Sequence, residues 1–297
     1  MIKIGIIGTE NSHASAFTGI INQPDPQTGK REYADMQVVG VYGPDAESSR
    51  EVFEIGGVDF IAERPEDFVG RVDAMMILNR KGSLHAGYAM PFIEQGLSLF
   101  IDKPIASGAE EAQRLLDAAR AKGVLVCGGS SLKYSKTLPA LRQQVNSLLK
   151  EKSYISAVMN YPADKNSEYD GFYFYSSHLI EMALTVFGYS VRTVKAAESQ
   201  GVVTALLGYD GFSTHLVFTP GTYSTACLLF RKGAENIYQS IDTSNTYQAE
   251  VAHFASMLRS GTMLHTYDEL AKPVYVIDAI LKSLSSGRET AVGGLAE

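Results

Sequence analysis

Five short, uninterrupted apolar runs divide the first 130 residues: IKIGIIG (2–8), MQVVGVY (36–42), VDAMMIL (72–78), LSLFI (97–101) and VLVCG (124–128). Runs of this length are expected of strands buried on both faces, and such strands form parallel sheets covered by helices. Helical periodicity lies between them, most plainly in HAGYAMPFIEQ (85–95) and GAEEAQRLLDAARAK (108–122), the second stopped by Gly123. Strand and helix in strict alternation imply right-handed crossovers in a doubly wound sheet, with ligands beyond the carboxyl ends of the strands.

After residue 150 the rhythm changes. SYISAVMNY (153–161), VRTVKAAES (191–199), VVTALLGY (202–209), STHLVFT (213–219) and STACLLFR (224–231) follow one another across short polar or glycine-containing turns, which predicts antiparallel pairing. Helical stripes are expected over 177–187, 247–259 and 274–284. The fold class is therefore α/β: a doubly wound parallel sheet over 1–130, then a mainly antiparallel sheet with helices over 131–297, the boundary falling between 130 and 150. A chain of 297 residues with 45% hydrophobic and 20% charged residues can fill two such cores.

Charge and composition exclude several partners. A net charge of −7 without a basic face argues against nucleic acid or a membrane surface. Neither a basic leader nor an apolar stretch of the roughly 20 residues that span a bilayer is seen, so a cytoplasmic location is expected. Cys127 and Cys227 sit among apolar neighbours and read as buried thiols. No third or fourth ligand stands at metal-binding spacing near any histidine, so no metal site is expected.

The loop after the first strand breaks a rule. In G-x-G-x-x-G the glycines make the tight turn and let backbone approach a diphosphate. With Gly8 first, the second position is Glu10 and the third His13. Main-chain N–H groups and the helix N-terminus supply most of the attraction, so an outward Glu10 is tolerable and the cradle is assigned to Gly8, Thr9, Glu10, Ser12 and His13. Glu10→Gln is then expected to tighten binding slightly, by removing negative charge near a doubly anionic ligand. The acid expected for the ribose after the second strand is also missing: Gly43 stands there and Asp45 is the nearest acid, while Ser48, Ser49 and Arg50 offer contacts to a 2′-phosphate. NAD and NADP both stay open.

LFIDKPIASGAEEAQRLLDAARAKGVLVCGG, with its Asp102-Lys103-Pro104 corner, resembles the E-K-P-x-A segment of the glucose-fructose oxidoreductase, inositol dehydrogenase and rhizopine catabolism (Gfo/Idh/MocA) family. The opening strand, DAMMILNRKGSLHAGYAMPFIEQG, SSHLIEMALTVFG and the closing LAKPVYVIDAILKSLSSGRE match it in order and spacing. The resemblance implies a Rossmann dinucleotide-binding domain over 1–130 followed by an α+β domain with an open, mainly antiparallel sheet over 131–297, and a nicotinamide-dependent oxidoreductase acting on a sugar, polyol or related hydroxylated molecule, assembled as a homodimer or homotetramer through that sheet. It also implies that Lys103 and His178 are the catalytic pair handling the hydroxyl proton. Asn79, Arg80, His85 and Asp102 fall where the family approaches the cofactor, with Asp102 in place of the usual Glu.

Other positions are weaker. Lys133 and Tyr134 follow the last Rossmann strand where relatives carry Arg-Phe or Arg-Tyr, and compete with a plain solvated loop. Tyr175 and Glu181 lie beside His178 in sequence and are assigned to the substrate. Phe174 stands where many relatives have an aspartate four residues before the histidine, and Asp170 or Glu181 is available to replace it. Glu10, Gly43 and Phe174 together motivate two alternatives: a sugar-binding or regulatory protein of the same fold, and redox-assisted glycoside cleavage.

Overall fold

A computed structural model describes residues 1–294, which divide into two compact units. The first unit comprises Met1–Ala106, Glu110–Gly129 and Tyr247–Leu270; the second comprises Ser107–Ala109, Ser130–Thr246 and, among the described residues, 271–294.

In the first unit β1 (Ile2–Ile7), α1 (Ser12–Asn22), β2 (Met36–Tyr42), α2 (Ala46–Glu54), β3 (Phe60–Ile61), β4 (Ala74–Ile77), α3 (His85–Glu94), β5 (Ser98–Asp102), α4 (Ala109–Lys122) and β6 (Val126–Gly129) follow one another, the two-residue β3 being a strand that the five apolar runs did not include and that no α-helix separates from β4. All the strands are parallel, in the order β3-β2-β1-β4-β5-β6. Ile4, Ile6, Met76 and Leu78 are fully buried, which is why these strands read as continuous apolar runs. The order reverses between β2-β1 and β1-β4, so the topological switch point lies beyond the ends of β1 and β4.

The second unit contains α5 (Leu138–Lys150), β7 (Tyr154–Tyr161), α6 (Tyr173–Phe187), β8 (Thr193–Ser199), β9 (Val202–Tyr209), β10 (Phe212–Phe218), β11 (Ala226–Arg231) and β12 (Ile237–Ser240). The chain continues as α7 (Thr246–Ser260), α8 (Tyr267–Ser286) and β13 (Thr290–Ala291), giving a sheet of order β12-β11-β7-β10-β9-β8-β13. It is mixed rather than purely antiparallel, because β10 pairs with β7 in parallel. The intervening α6, β8 and β9 supply the long crossover such a pair requires. One face buries Ala157, Met159, Val194, Leu207, Leu216 and Leu229 in a core shared with Leu179, Ile180 and Ala183 of α6 and with Val276 and Ile280 of α8. Elsewhere on the strands Ile155 and Tyr238 remain exposed.

The boundary expected at 130 needs one correction. Residues 247–270 lie inside the span read as the second domain, yet they group with the first unit. Val251, Phe254, Ala255 and Met257 of α7 are buried in a core with Ile4, Phe17, Met76 and Phe100, and the Phe100 and Phe254 rings meet edge to face. The apolar stripe of α7 announces that the helix must be covered, but periodicity does not say by which core.

Candidate functional site

The first unit brings Gly8, Thr9, Glu10, Ser12, Asn79 and Arg80 together at the carboxyl ends of β1 and β4. Gly8 has φ +103°, and a Cβ there would lie 2.4 Å from the Asn79 nitrogen, so only glycine lets the first turn pass this close to the β4 loop. Asn11 caps α1, its Oδ1 accepting from His13 N at 3.2 Å, and Ser12 stands exposed in the first turn. On the β2 side the Thr9 hydroxyl lies 2.8 Å from that of Ser48 and 3.1 Å from that of Ser49. Gly43 makes room for this cluster: a Cβ there would fall 1.7 Å from Thr9 Oγ1.

Glu10 does not point outward, contrary to the sequence expectation. Its Oε1 accepts from Asn79 Nδ2 at 3.2 Å and from the Arg80 backbone N at 3.3 Å, so the carboxylate is bent onto the end of β4. Two polar main- and side-chain donors outweigh exposure to water for a half-buried group.

His13, Asp102 and His85, expected against the cofactor, are all buried and engaged by protein groups. Asn11 Nδ2 donates to Asp102 Oδ2 at 2.7 Å and to the Leu78 carbonyl at 2.7 Å, and His13 Nδ1 lies 3.0 Å from Asp102 Oδ2. The His13 ring stacks on Phe17 at 5.2 Å and meets Tyr247 edge-on at 4.5 Å. A bulky histidine at the third glycine position and a short aspartate in place of glutamate therefore accommodate one another. His85 is wholly buried, its ring nitrogens each 2.7 Å from a carbonyl oxygen, of Pro104 and of Asn79, so it ties the loop after β5 to the loop after β4.

Burial opposes ionisation of Asp102, but His13 and then the charge and backbone N–H of Lys103 outweigh it and hold the carboxyl at about 2. Its folded value is depressed, so the stability it contributes is present above pH 3.8 and is lost as pH falls towards 2. Asp102→Asn is expected to cost about 2 kcal/mol at neutral pH and to flatten this acid loss, measured as the difference between variant and wild-type unfolding curves from pH 5 to pH 2. Equal slopes would show that the carboxylate is not held ionised by these partners. Lys103 follows directly, 6% exposed, at the carboxyl end of β5, and the Lys103–Pro104 peptide is cis.

The second unit holds His178 and its surroundings. His178 lies on α6, 7% exposed, with Nδ1 2.7 Å from Ser130 Oγ. That oxygen also accepts from Leu132 N at 3.1 Å, and the Ser130 backbone N donates to Glu181 Oε1 at 2.7 Å. The other Glu181 oxygen lies 2.9 Å from Lys133 Nζ, both side chains being no more than 5% exposed. Lys133 and Glu181 were assigned to the substrate, but here each is engaged by the other inside the protein. Burial works against the Lys133 charge, and Glu181, assisted by Tyr134 and Tyr189, raises its pKa above the ordinary lysine range. Tyr134 flanks the ammonium, which lies 5.4 Å from its ring centroid.

Aromatic rings frame His178 on the same unit. Tyr175 and Tyr161 meet its ring at 5.3 and 5.4 Å and stack on each other at 6.3 Å, while Phe174 turns towards Tyr169 at 4.8 Å. Phe174 thus extends an aromatic cluster at the start of α6. Asp170 accepts from Ser107 Oγ at 3.0 Å. Ser130 and Tyr161 escaped the sequence reading. Ser130 follows a strand end, a signal that was present; Tyr161 reaches His178 only through tertiary pairing of β7.

Residues 2–130 match the family model described as the oxidoreductase family with an NAD-binding Rossmann fold, GFO_IDH_MocA. This segment is similar to the NAD-binding Rossmann domain of the Gfo/Idh/MocA family. Curated relatives include inositol 2-dehydrogenase of Gluconacetobacter diazotrophicus, 27% identical over 124 residues, 41% of this chain and 34% of that protein. Inositol 2-dehydrogenase 3 of Saccharopolyspora erythraea is 28% identical over 124 residues, 41% of this chain and 33% of that protein. The match therefore spans about a third of the length of these relatives. Solved structures extend the likeness of fold over both units. Myo-inositol dehydrogenase from Lactobacillus casei, in complex with NAD(H) and myo-inositol, has a TM-score of 0.79 at 13% identity, covering 100% of this chain and 98% of that one. A levoglucosan dehydrogenase, complexed with NADH and L-sorbose, has a TM-score of 0.79 at 14% identity with full coverage of both. Among the described residues no cluster of histidine, cysteine and carboxylate could hold a metal ion, and no helix is long and apolar enough to cross a membrane.

Proposed function

We propose that this chain is an NAD-dependent dehydrogenase of a sugar, polyol or related hydroxylated small molecule. The observation that carries the reading is the β1–α1 turn, where Gly8 is pressed against the Asn79 backbone and Ser12 opens the N-terminus of α1 to an anion. The inositol and levoglucosan dehydrogenases that share the fold support the substrate class.

Residues at the β2 end favour NAD over NADP. Asp45 caps α2 and accepts from Ser48 N at 2.7 Å, Ser48 Oγ donates to Asp45 Oδ2 at 3.0 Å, and Ser49 Oγ donates to the Asp45 carbonyl at 3.1 Å. The hydroxyls that would greet a 2′-phosphate are already engaged, and Glu47 adds a second acid in the first turn. A 2′-phosphate would meet negative charge there.

In this reading Ser12 and the N-terminus of α1 would hold the diphosphate, and Thr9, Gly43 and Ser48 would hold the ribose end. NAD would supply the hydride acceptor, and its reduced form the hydride donor, for the substrate carbon. Lys103 holds a cation where a developing alkoxide is stabilised, and His178 takes or returns the hydroxyl proton, with Ser130 fixing its Nδ1. Tyr161 and Tyr175 offer rings to the apolar C–H faces of a polyol.

Thermal unfolding tests the reading. NAD at 100 times its dissociation constant should stabilise the protein by roughly 2.7 kcal/mol, and NADP by less. No shift with NAD, NADP or their reduced forms would overturn the dehydrogenase assignment in favour of a cofactor-free binding protein. The exposed Ile155 and Tyr238 of an open sheet also lead us to expect a homodimer or larger assembly, read as a light-scattering mass of at least two chains at micromolar concentration. A monomer under those conditions would show that the sheet needs no partner.

A further inference from the structure

Among the buried oxygen atoms of the unit holding β1 and β4 for which the described residues supply no hydrogen-bond partner, Glu10 Oε2 and Asn79 Oδ1 belong to side chains that touch each other at the end of β4. Asn79 is 3% exposed, and the two side chains are joined through Asn79 Nδ2 and Glu10 Oε1 at 3.2 Å. A carboxylate oxygen and an amide oxygen only accept. Leaving both buried and unpaired costs free energy, so the group that completes them brings donors. Diphosphate oxygens also only accept and would meet this pair with repulsion. Hydroxyl groups fit.

The sheet order identifies which hydroxyls. In a doubly wound sheet the adenosine half of a dinucleotide lies on the β2 side of the switch point, and the other half crosses to the β4 side. Here the β2 side is furnished by Thr9, Gly43, Ser48 and Ser49, whereas Glu10 and Asn79 meet at the end of β4. We infer that Glu10 and Asn79 form a receptor for the hydroxyls of the nicotinamide-side ribose, with the Glu10 carboxylate as the acceptor that a glycine at this position would lack. This rests on the NAD reading above. It reverses the sequence expectation for Glu10→Gln, which would replace an acceptor with an amide N–H donor where a ligand hydroxyl needs to donate.

Titration calorimetry with three probes separates the parts: NAD, ADP-ribose, which keeps the terminal ribose but lacks nicotinamide, and ADP, which lacks both. Wild-type protein should bind NAD and ADP-ribose more tightly than ADP. Glu10→Gln and Glu10→Ala should each lose about tenfold or more for NAD and ADP-ribose, the value of a charge-assisted hydrogen bond, while ADP affinity is unchanged or slightly improved. Retained ADP binding also reports that the variants are folded. Equal losses for ADP would overturn the inference, because Glu10 would then serve the loop as a whole. A loss for NAD but not for ADP-ribose would move the contact to the nicotinamide and overturn it too. Unchanged affinities in both variants would show that Glu10 does not touch the ligand, leaving the NAD reading in place. Failure of wild-type protein to bind any of the three would instead remove the NAD reading itself.

Discussion

Lys103→Met is expected to lower turnover by roughly 10²-fold or more while leaving the melting temperature within a few degrees of wild type. Methionine keeps the apolar stem that packs in this 94% buried position but removes the charge, as the 6% exposure of Lys103 makes the stem part of the interior. The charge has a defined place: it follows the last residue of β5, where a parallel sheet presents its reacting groups, and its field helps hold Asp102 ionised. Asn11 and His13 still engage Asp102 in the variant, so the loop keeps its anchor. Steady-state rates with NAD across a panel of inositols and sugars, compared on the polyol that wild-type protein oxidises fastest, read the effect. His178→Asn should also reduce turnover, with NAD binding unchanged. Near-normal turnover in both variants on that substrate would place the chemistry elsewhere.

Much of this architecture is legible because parallel strands bury both faces. Ile4, Ile6, Met76 and Ile101 leave no polar interruption, so the strands declare themselves without reference to partners. Lys103 was legible for the same reason, since its position after such a run fixes which edge of the sheet it occupies. The start of α8 was also written locally, though the apolar stripe from 274 drew attention away from it. Thr266 and Glu269 form a reciprocal capping box, with Thr266 N to Glu269 Oε2 at 2.9 Å and Glu269 N to Thr266 Oγ1 at 3.2 Å.

Other features depend on partners distant in sequence, and periodicity carries no information about them. Glu10 and Asn79 meet across 69 positions, Ser130 and His178 across 48, and β7 with β10 through a crossover. His13 and Asp102 each look like a defect in a motif when read alone, and become mutually explanatory only when 3.0 Å apart. The same holds for Lys133 and Glu181, whose types suggested substrate contacts and whose burial makes them partners.

That buried pair carries the largest stability effect expected in the molecule. Lys133→Met would leave the Glu181 carboxylate inside the protein with the Ser130 N–H and no ammonium, at a cost of about 3–5 kcal/mol. For a chain of this size the melting temperature should fall on the order of 10 °C. The Lys133 pKa is raised on folding, so the contribution is present below the unfolded value of 10.5 and is lost only as pH rises beyond it; the deficit should therefore be flat from neutral pH to about 10. Glu181→Gln placed on the Lys133→Met background removes the stranded charge while keeping an acceptor for Ser130, so the double variant should melt above the single one despite carrying more substitutions. This non-additivity distinguishes a dry ion pair from a simple loss of packing, in which the second change would lower stability further. A Lys133→Met deficit below about 1 kcal/mol, the range of solvated pairs, would show that water reaches Glu181 and that this network does not hold Ser130 beneath His178.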